Sequence, residues 1–306
     1  MVVVTHSPAI SPPTGGLSDR AVRWVEQCLG QGAGVREIRT LPGGAAHVNH
    51  ALLVESRSGS AHRLVLRRWL PREGLAAAEF SPEREIAALA LLAGCELPTP
   101  SLVAADPAGA HCGGPALLIT WLDGHPPDPA PADLDEYLIQ LAAAPLSVHA
   151  LRGAASMPPY MPANRLDRRL PPAHALRPWL WDRAHEAAAR PAPHAPSRFI
   201  HRDYEPGNTL WSGGRLTGVV DWSDASCGPV AVDVARMRLG LALRHGVQAA
   251  DRFLAVFDQV SGGHEHDPYW DLRCLLDLLP EDDGRELPEQ KVPLYEEYLA
   301  ALLATV

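Results

Sequence analysis

His201-Arg202-Asp203-Tyr204-Glu205-Pro206-Gly207-Asn208, followed by Val219-Val220-Asp221-Trp222, brings together residue types suited to one chemistry. An Asp, an Asn shortly after it and a second Asp beyond one short hairpin are spaced to converge on a metal-bound phosphate. In such a layout the first Asp accepts or orients the proton of an attacking hydroxyl, while the Asn and the second Asp hold magnesium against a triphosphate. Little else is asked of the protein, because positioning and charge neutralisation supply most of the rate of phosphoryl transfer.

The segments around these side chains are of the kind that can position them. Ser197 to Ile200 lead in with an aromatic and a β-branched residue, and Pro206-Gly207 forces a turn that returns Asn208 to Asp203. Thr209-Leu210-Trp211 reads as a short strand, Ser212-Gly213-Gly214-Arg215 as a hairpin turn and Leu216 to Val220 as the returning strand. Asp221 then stands at the end of that strand.

His201, Asp203, Pro206, Gly207, Asn208, Asp221, Trp222 and Asp233 all fall on the motif of the aminoglycoside phosphotransferase family, relatives of choline kinases and distant cousins of protein kinases, and the chain resembles that family from about Leu41 to Leu239. The resemblance implies a two-lobed, protein-kinase-like α+β fold. An N-terminal antiparallel sheet lobe with one long helix would occupy residues 17–122 after a mobile arm at 1–16, and a mainly helical lobe residues 123–306. It also implies catalytic roles for Asp203, Asn208 and Asp221, with Asn208 and Asp221 as ligands of Mg²⁺ and ATP or GTP as co-substrate. Asp233, at the start of a helix, is expected to anchor the catalytic loop.

The upstream half contains matching pieces. Glu37–Leu41 and Val48–Glu55 read as strands around the turn Pro42-Gly43-Gly44-Ala45-Ala46, and the resemblance places Gly43 and Gly44 over the nucleotide phosphates. Leu64 to Arg68 occupies the strand whose basic residue serves the α- and β-phosphates in relatives, and Glu85, on a helix opened by Ser81-Pro82-Glu83, is its expected partner. Relatives usually carry Lys there, whereas this chain has Arg67 and Arg68; Lys291 is its one lysine. Strand alternation turns only one of the two arginines inward, and the resemblance favours Arg67. Pro115 to Gly124 resembles the family's hinge, with Thr120 and Leu122 as candidates for backbone bonds to the adenine edge.

Composition bounds the rest. The chain has 306 residues, 46% hydrophobic and 21% charged, with a formal net charge of −9. That charge argues against nucleic acid as a partner and suits a cationic substrate. No apolar run reaches the ~20 residues that span a bilayer. Met1 to Gly16 lacks the basic start and apolar centre of a signal peptide, so a cytoplasmic location is expected. Cys28, Cys95, Cys112, Cys227 and Cys274 form no paired framework and are expected as thiols.

Leu17–Leu29 reads as an amphipathic helix capped by Ser18, and Asp133–Leu151 as a second after the hinge. A Pro-rich crossing from Met157 to Pro178 follows. Further helices are expected near Val230–Leu243, Gln248–Val260, Asp267–Leu279 and Pro293–Leu303. Trp222 to Gly228 leaves no room for a long activation loop, so activity is expected to be constitutive. His264-Glu265-His266 has metal-like spacing but reads as plain loop. Acceptor candidates are Glu205, where the family often has His, together with Asp224, Asp271, Asp277 and the run Glu281-Asp282-Asp283, which would hold amines. The implied reaction moves the γ-phosphoryl group of a nucleoside triphosphate to a hydroxyl of a polar, cationic acceptor of the aminoglycoside kind. An amino alcohol, sugar or macrolide acceptor, or a catalytically silent nucleotide-binding regulator, is the alternative.

Overall fold

The computed structural model describes residues 16–42, 47–69, 82–128, 130–167, 169–279 and 287–305. The Gly43-Gly44 turn, Ser81 and the acidic run Glu281-Asp282-Asp283 therefore lie outside the described residues. Contacts divide the chain into two compact units, residues 1–71 with 103–119, and residues 72–102 with 120–306.

In the first unit, α1 (Asp19–Cys28) begins where Ser18 Oγ accepts the N–H of Ala21. It precedes the meander β1 (Gly34–Leu41), β2 (His47–Glu55) and β3 (Ala61–Trp69). After α2 (Glu83–Leu92), β4 (Leu102–Asp106) and β5 (Ala116–Thr120) complete a five-stranded sheet of order β1-β2-β3-β5-β4. β2 pairs antiparallel with both β1 and β3, in a register that sets Asn49 opposite Arg67 and Val48 opposite Arg68. Period-two alternation sends Leu52, Val54, Leu64 and Leu66 to one face, where they bury against Ala21, Trp24 and Val25 of α1. Each such aliphatic side chain contributes roughly 1.5–3 kcal/mol by leaving water. Asp106 closes the turn after β4 by accepting the N–H groups of Ala110, His111 and Cys112.

The second unit is mainly helical. α2 groups with it by contacts and has Pro82 at its N-cap position, with no side-chain cap bond. α3 (Leu134–His149) is capped by Asp133 and carries Pro145 inside it. α4 (Pro178–Ala188), not anticipated from the sequence, starts with Pro178 at its first turn directly after the Pro-rich crossing. Buried Glu296 fixes it by accepting from Arg177 N, Arg177 Nε and Trp181 Nε1. Then come β6 (Ser197–Ile200), the hairpin β7 (Thr209–Ser212) and β8 (Arg215–Val219), β9 (Ser226–Pro229) paired antiparallel with β6, α5 (Val230–His245), α6 (Val247–Ser261), α7 (Tyr269–Leu276) and α8 (Val292–Leu303). Gly213 and Gly214 both take positive φ in the hairpin turn, the backbone a tight two-residue connection needs. Glu296 lies on α8, one of the helices expected from the sequence.

Candidate active site

The loop that carries Asp203 and Asn208 runs from the end of β6 to the start of β7, and α5 lies against it. The carboxylate of Asp233, 1% exposed, accepts the N–H groups of His201 at 3.0 Å and Arg202 at 2.7 Å, and contacts His149 Nε2 at 2.9 Å. This is the anchoring expected of Asp233. It holds Arg202 in the left-handed region at φ 70°. Further along, Gly240 provides the clearance for Pro206, since a Cβ there would stand 2.5 Å from the proline Cδ. Residues 233, 236 and 240 share one stripe of α5 at helical spacing, and that stripe meets the loop in chain order.

Within the loop, Asn208 Nδ2 donates to both the main-chain oxygen and Oδ2 of Asp203, each at 2.9 Å. The amide is thereby oriented with its Oδ1 turned away from Asp203. The other carboxylate oxygen, Asp203 Oδ1, accepts from Arg236 Nε at 2.7 Å, and Arg236 Nη2 stands 2.9 Å from Glu205 Oε2. Burial alone would lower the Arg236 pKa, but the adjacent Asp203 and Glu205 carboxylates outweigh it and push the guanidinium well upward. Sequence reading missed Arg236. Its only signal was its position three residues after Asp233, on the same helix face.

The second acidic residue arrives as expected, at the end of the β7–β8 hairpin. Val220 N donates to the main-chain oxygen of Asn208 at 2.9 Å, and the buried His201 ring contacts Val220 O through Nε2 at 2.9 Å. Asp221 also takes positive φ, 67°, and one of its carboxylate oxygens accepts from Ser223 Oγ at 2.9 Å. Trp222 is buried against His201, with ring centroids 4.4 Å apart. A hard cation such as Mg²⁺ takes oxygen ligands, retains several waters and usually needs only one or two protein donors beside substrate phosphates. The Asn208 amide oxygen and the Asp221 carboxylate fit that requirement. Among the described residues no group of three or more His, Cys, Asp or Glu is arranged to hold a metal. The His264-Glu265-His266 segment has no regular secondary structure, and His266 Nε2 lies 2.7 Å from Asp271 Oδ2.

The remaining candidates separate by environment. Glu205 and Asp224 keep side-chain exposures of 32% and 53%; Asp224 lies 3.6 Å from both Arg84 and Arg202. Asp271 does not border a substrate side: it is fully buried and bonded to Arg238, His266 and Tyr298. Asp277 is also committed internally, accepting Tyr160 OH and Asn164 N, and burial raises its pKa. It ties the Pro-rich crossing to α7. That crossing further meets the loop through Arg202, which donates to Met161 O and lies over the Tyr160 ring.

Of the hinge candidates, Thr120 has its N–H engaged by Ser101 O, so it is not a donor for adenine, and Leu122 packs where a Cβ on Gly218 would clash. In the first unit, Arg68 lies on the face buried by α1 and donates to Cys112 O at 3.2 Å. Arg67 lies on the opposite face, where its Nε donates to Asn49 at 3.2 Å. Glu85 is buried on α2.

The sequence pattern of the phosphotransferase enzyme family matches residues 37–303, nearly the whole of the chain whose loop, hairpin and anchor have just been described. The chain belongs to that family. This phosphotransferase also shares its fold with solved structures of low sequence identity. One is a thermostable mutant of aminoglycoside phosphotransferase APH(4)-Ia in a ternary complex with AMP-PNP and hygromycin B, at 17% identity and TM-score 0.64, covering 92% of this chain and 98% of that one. LicA in complex with AMP is 16% identical at TM-score 0.62, covering 93% and 97%. Macrolide 2'-phosphotransferase MphH from Brachybacterium faecium is 18% identical at TM-score 0.56, covering 94% and 93%. No curated protein matches the chain significantly. The kinase-like α+β fold inferred from the sequence is thus the fold observed.

Proposed function

We propose that this phosphotransferase moves the γ-phosphoryl group of ATP or GTP to a hydroxyl of a small polar acceptor. Asp203 orients the hydroxyl and takes up its proton. Asn208 and Asp221 hold Mg²⁺, which when bound neutralises phosphate charge and polarises the phosphoryl group. The observation that carries this reading is the treatment of Asp203: one oxygen is held by a guanidinium and the other by the Asn208 amide, so the carboxylate is fixed before substrate arrives. On the sheet unit, Arg67 is the proposed phosphate contact, together with the glycines Gly43 and Gly44. Glu85 and the Leu122 backbone are proposed nucleotide-side residues of the helical unit.

A cationic acceptor of the aminoglycoside kind is the leading candidate. Support comes from the partly exposed carboxylates of Glu205 and Asp224 in and beside the catalytic loop, and from the hygromycin B complex of the similar structure. Amino alcohols, sugars and macrolides belong in the same assay. The test is a panel of hydroxylated acceptors, each incubated with nucleotide and Mg²⁺ and analysed by mass spectrometry for the phosphorylated product. Asp203→Asn serves as the control, with a fall in turnover of about 10²- to 10⁴-fold for a lost general base and unchanged nucleotide affinity. A folded Asp203→Asn protein with near-native turnover sinks the assignment.

A further inference from the structure

Arg236, on α5, reaches into the loop with its guanidinium and has no part in the sequence pattern that led to the loop. Its Nε is 2.7 Å from Asp203 Oδ1, and its Nη2 is 2.9 Å from Glu205 Oε2. One guanidinium therefore spans two carboxylates two residues apart on the loop, using the fork geometry that arginine presents. The opposite oxygen, Asp203 Oδ2, is held by Asn208. With both oxygens pinned, the carboxylate plane is fixed about its last torsion. Glu205 is fixed in turn, and its Oε1 lies 3.0 Å from where a Cβ on residue 207 would stand, which glycine leaves open.

The Arg236 guanidinium is the cation that the Asp203 and Glu205 carboxylates share. Removing the guanidinium frees Asp203 Oδ1 and leaves the carboxylate held through Oδ2 alone, beside a second uncompensated charge on Glu205. Asp203 is the member whose displacement matters for transfer. The helix that carries Arg236 is also the one whose Asp233 holds the loop backbone, so side chain and main chain of the loop are set by a single rigid element.

We infer that Arg236 is a positioning residue of the transfer reaction, clamping Asp203 in its working orientation and binding Glu205 into the same unit. The inference rests on the reading of Asp203 as the residue that orients the acceptor hydroxyl. Glu205 is the second arm of the clamp, and the part of its carboxylate left exposed still faces outward from it.

The test compares Arg236→Gln, Arg236→Lys and Arg236→Ala with Asp203→Asn, measuring kcat, acceptor KM and nucleotide Kd for each. Arg236→Gln is expected to lower kcat by about 10²-fold, the scale of one lost preorganised electrostatic contact, with nucleotide Kd essentially unchanged. Arg236→Lys restores the charge but not the fork that reaches both carboxylates, and is expected to recover part of that loss, standing between Arg236→Gln and the native protein. Methylguanidinium added to Arg236→Ala is expected to raise its kcat and to leave Asp203→Asn unaffected. Native turnover in Arg236→Gln beside an inactive Asp203→Asn overturns the inference while leaving the Asp203 assignment standing. Equal impairment of Arg236→Lys and Arg236→Gln also overturns it, since a charge clamp tolerates lysine better than an amide. Near-native turnover in Asp203→Asn instead removes the underlying reading. Should Arg236→Gln fail to fold, Arg236→Lys decides: a loss confined to kcat supports the clamp, whereas an equal loss of nucleotide affinity, or no loss, overturns it.

Discussion

Arg202 N donates to Asp233 Oδ1 at 2.7 Å, and that bond sustains a backbone that arginine rarely adopts, φ 70°. A non-glycine residue in the left-handed region costs on the order of 1–3 kcal/mol. A hydrogen bond to a charged group returns about 1.5–3 kcal/mol, and Asp233 accepts a second from His201 N. The loop conformation is thus carried by one buried carboxylate, which also contacts His149.

Asp233→Ala is therefore expected to be among the most damaging single changes in the chain. It strips two backbone N–H groups and a histidine of their acceptor, and each buried group left unsatisfied costs roughly 1–3 kcal/mol. Urea melts check this, and Asp233→Asn, which keeps an acceptor oxygen, is expected to fall between native and Ala.

The parts of this site that were legible in the sequence are the local ones. Asp203, Asn208 and Asp221 are related by one turn and one hairpin, and turn chemistry at Pro206-Gly207 and Gly213-Gly214 declares itself over a few residues. Arg236 was not legible, because its role depends on which face of α5 meets the loop, a tertiary relation. Asp271 misled for the same reason: its partners Arg238 and Tyr298 come from other helices, and only their convergence shows that the carboxylate is consumed internally. α4 escaped notice because it follows directly on the Pro-rich crossing and owes its place to Glu296, far away in the chain.

Gly240→Ala opposes two familiar magnitudes. Alanine gains about 1 kcal/mol over glycine in a helix interior. Here its Cβ would stand 2.5 Å from Pro206 Cδ, and overpacking of that kind costs typically 1–3 kcal/mol. The clash is with a rigid ring in the catalytic loop, so the expected result is net destabilisation with lowered turnover. A thermal melt and a kcat measurement on the same sample check both halves.

Asp221→Ala is expected to abolish the Mg²⁺ dependence of nucleotide binding and to remove transfer, because the proposed cation loses its charged ligand. Calorimetric titration of nucleotide with and without Mg²⁺ reads this directly. Retention of the full Mg²⁺-linked affinity would rule Asp221 out as a ligand.

His264 supplies an expected pH dependence of stability. Burial first, then the neighbouring His266 and His149, lower its pKa to about 4 from 6.5, with Asp258 opposing. The folded state thus keeps the ring neutral where the unfolded chain has already taken a proton. Its contribution is fully present above about pH 6.5 and is lost as the pH falls toward about 4. His264→Phe, which retains a ring beside Phe257, is expected to flatten the decline of stability in that window, as measured by denaturant melts at stepped pH.

Arg67 and Arg68 are neighbours in sequence and opposites in placement, so their alanine variants should fail differently. Arg68 shares the sheet face of Leu64 and Leu66 against α1, donates to Cys112 O, and has its pKa lowered by burial. Arg68→Ala deletes a buried hydrogen bond and leaves a cavity in that core, for which a loss of roughly 2–4 kcal/mol is expected, with nucleotide affinity intact in the protein that remains folded. Arg67 lies on the other face, paired across the strands with Asn49. Arg67→Ala is expected to weaken triphosphate binding far more than it weakens the fold, and Arg67→Lys to retain part of the affinity, since a lysine keeps the charge and loses the planar fork. Paired measurements of nucleotide Kd and urea midpoint on both variants separate the two roles. If Arg68→Ala proves to be the variant that loses nucleotide while Arg67→Ala binds normally, the phosphate contact belongs to the other face of β3 and the assignment of Arg67 is wrong.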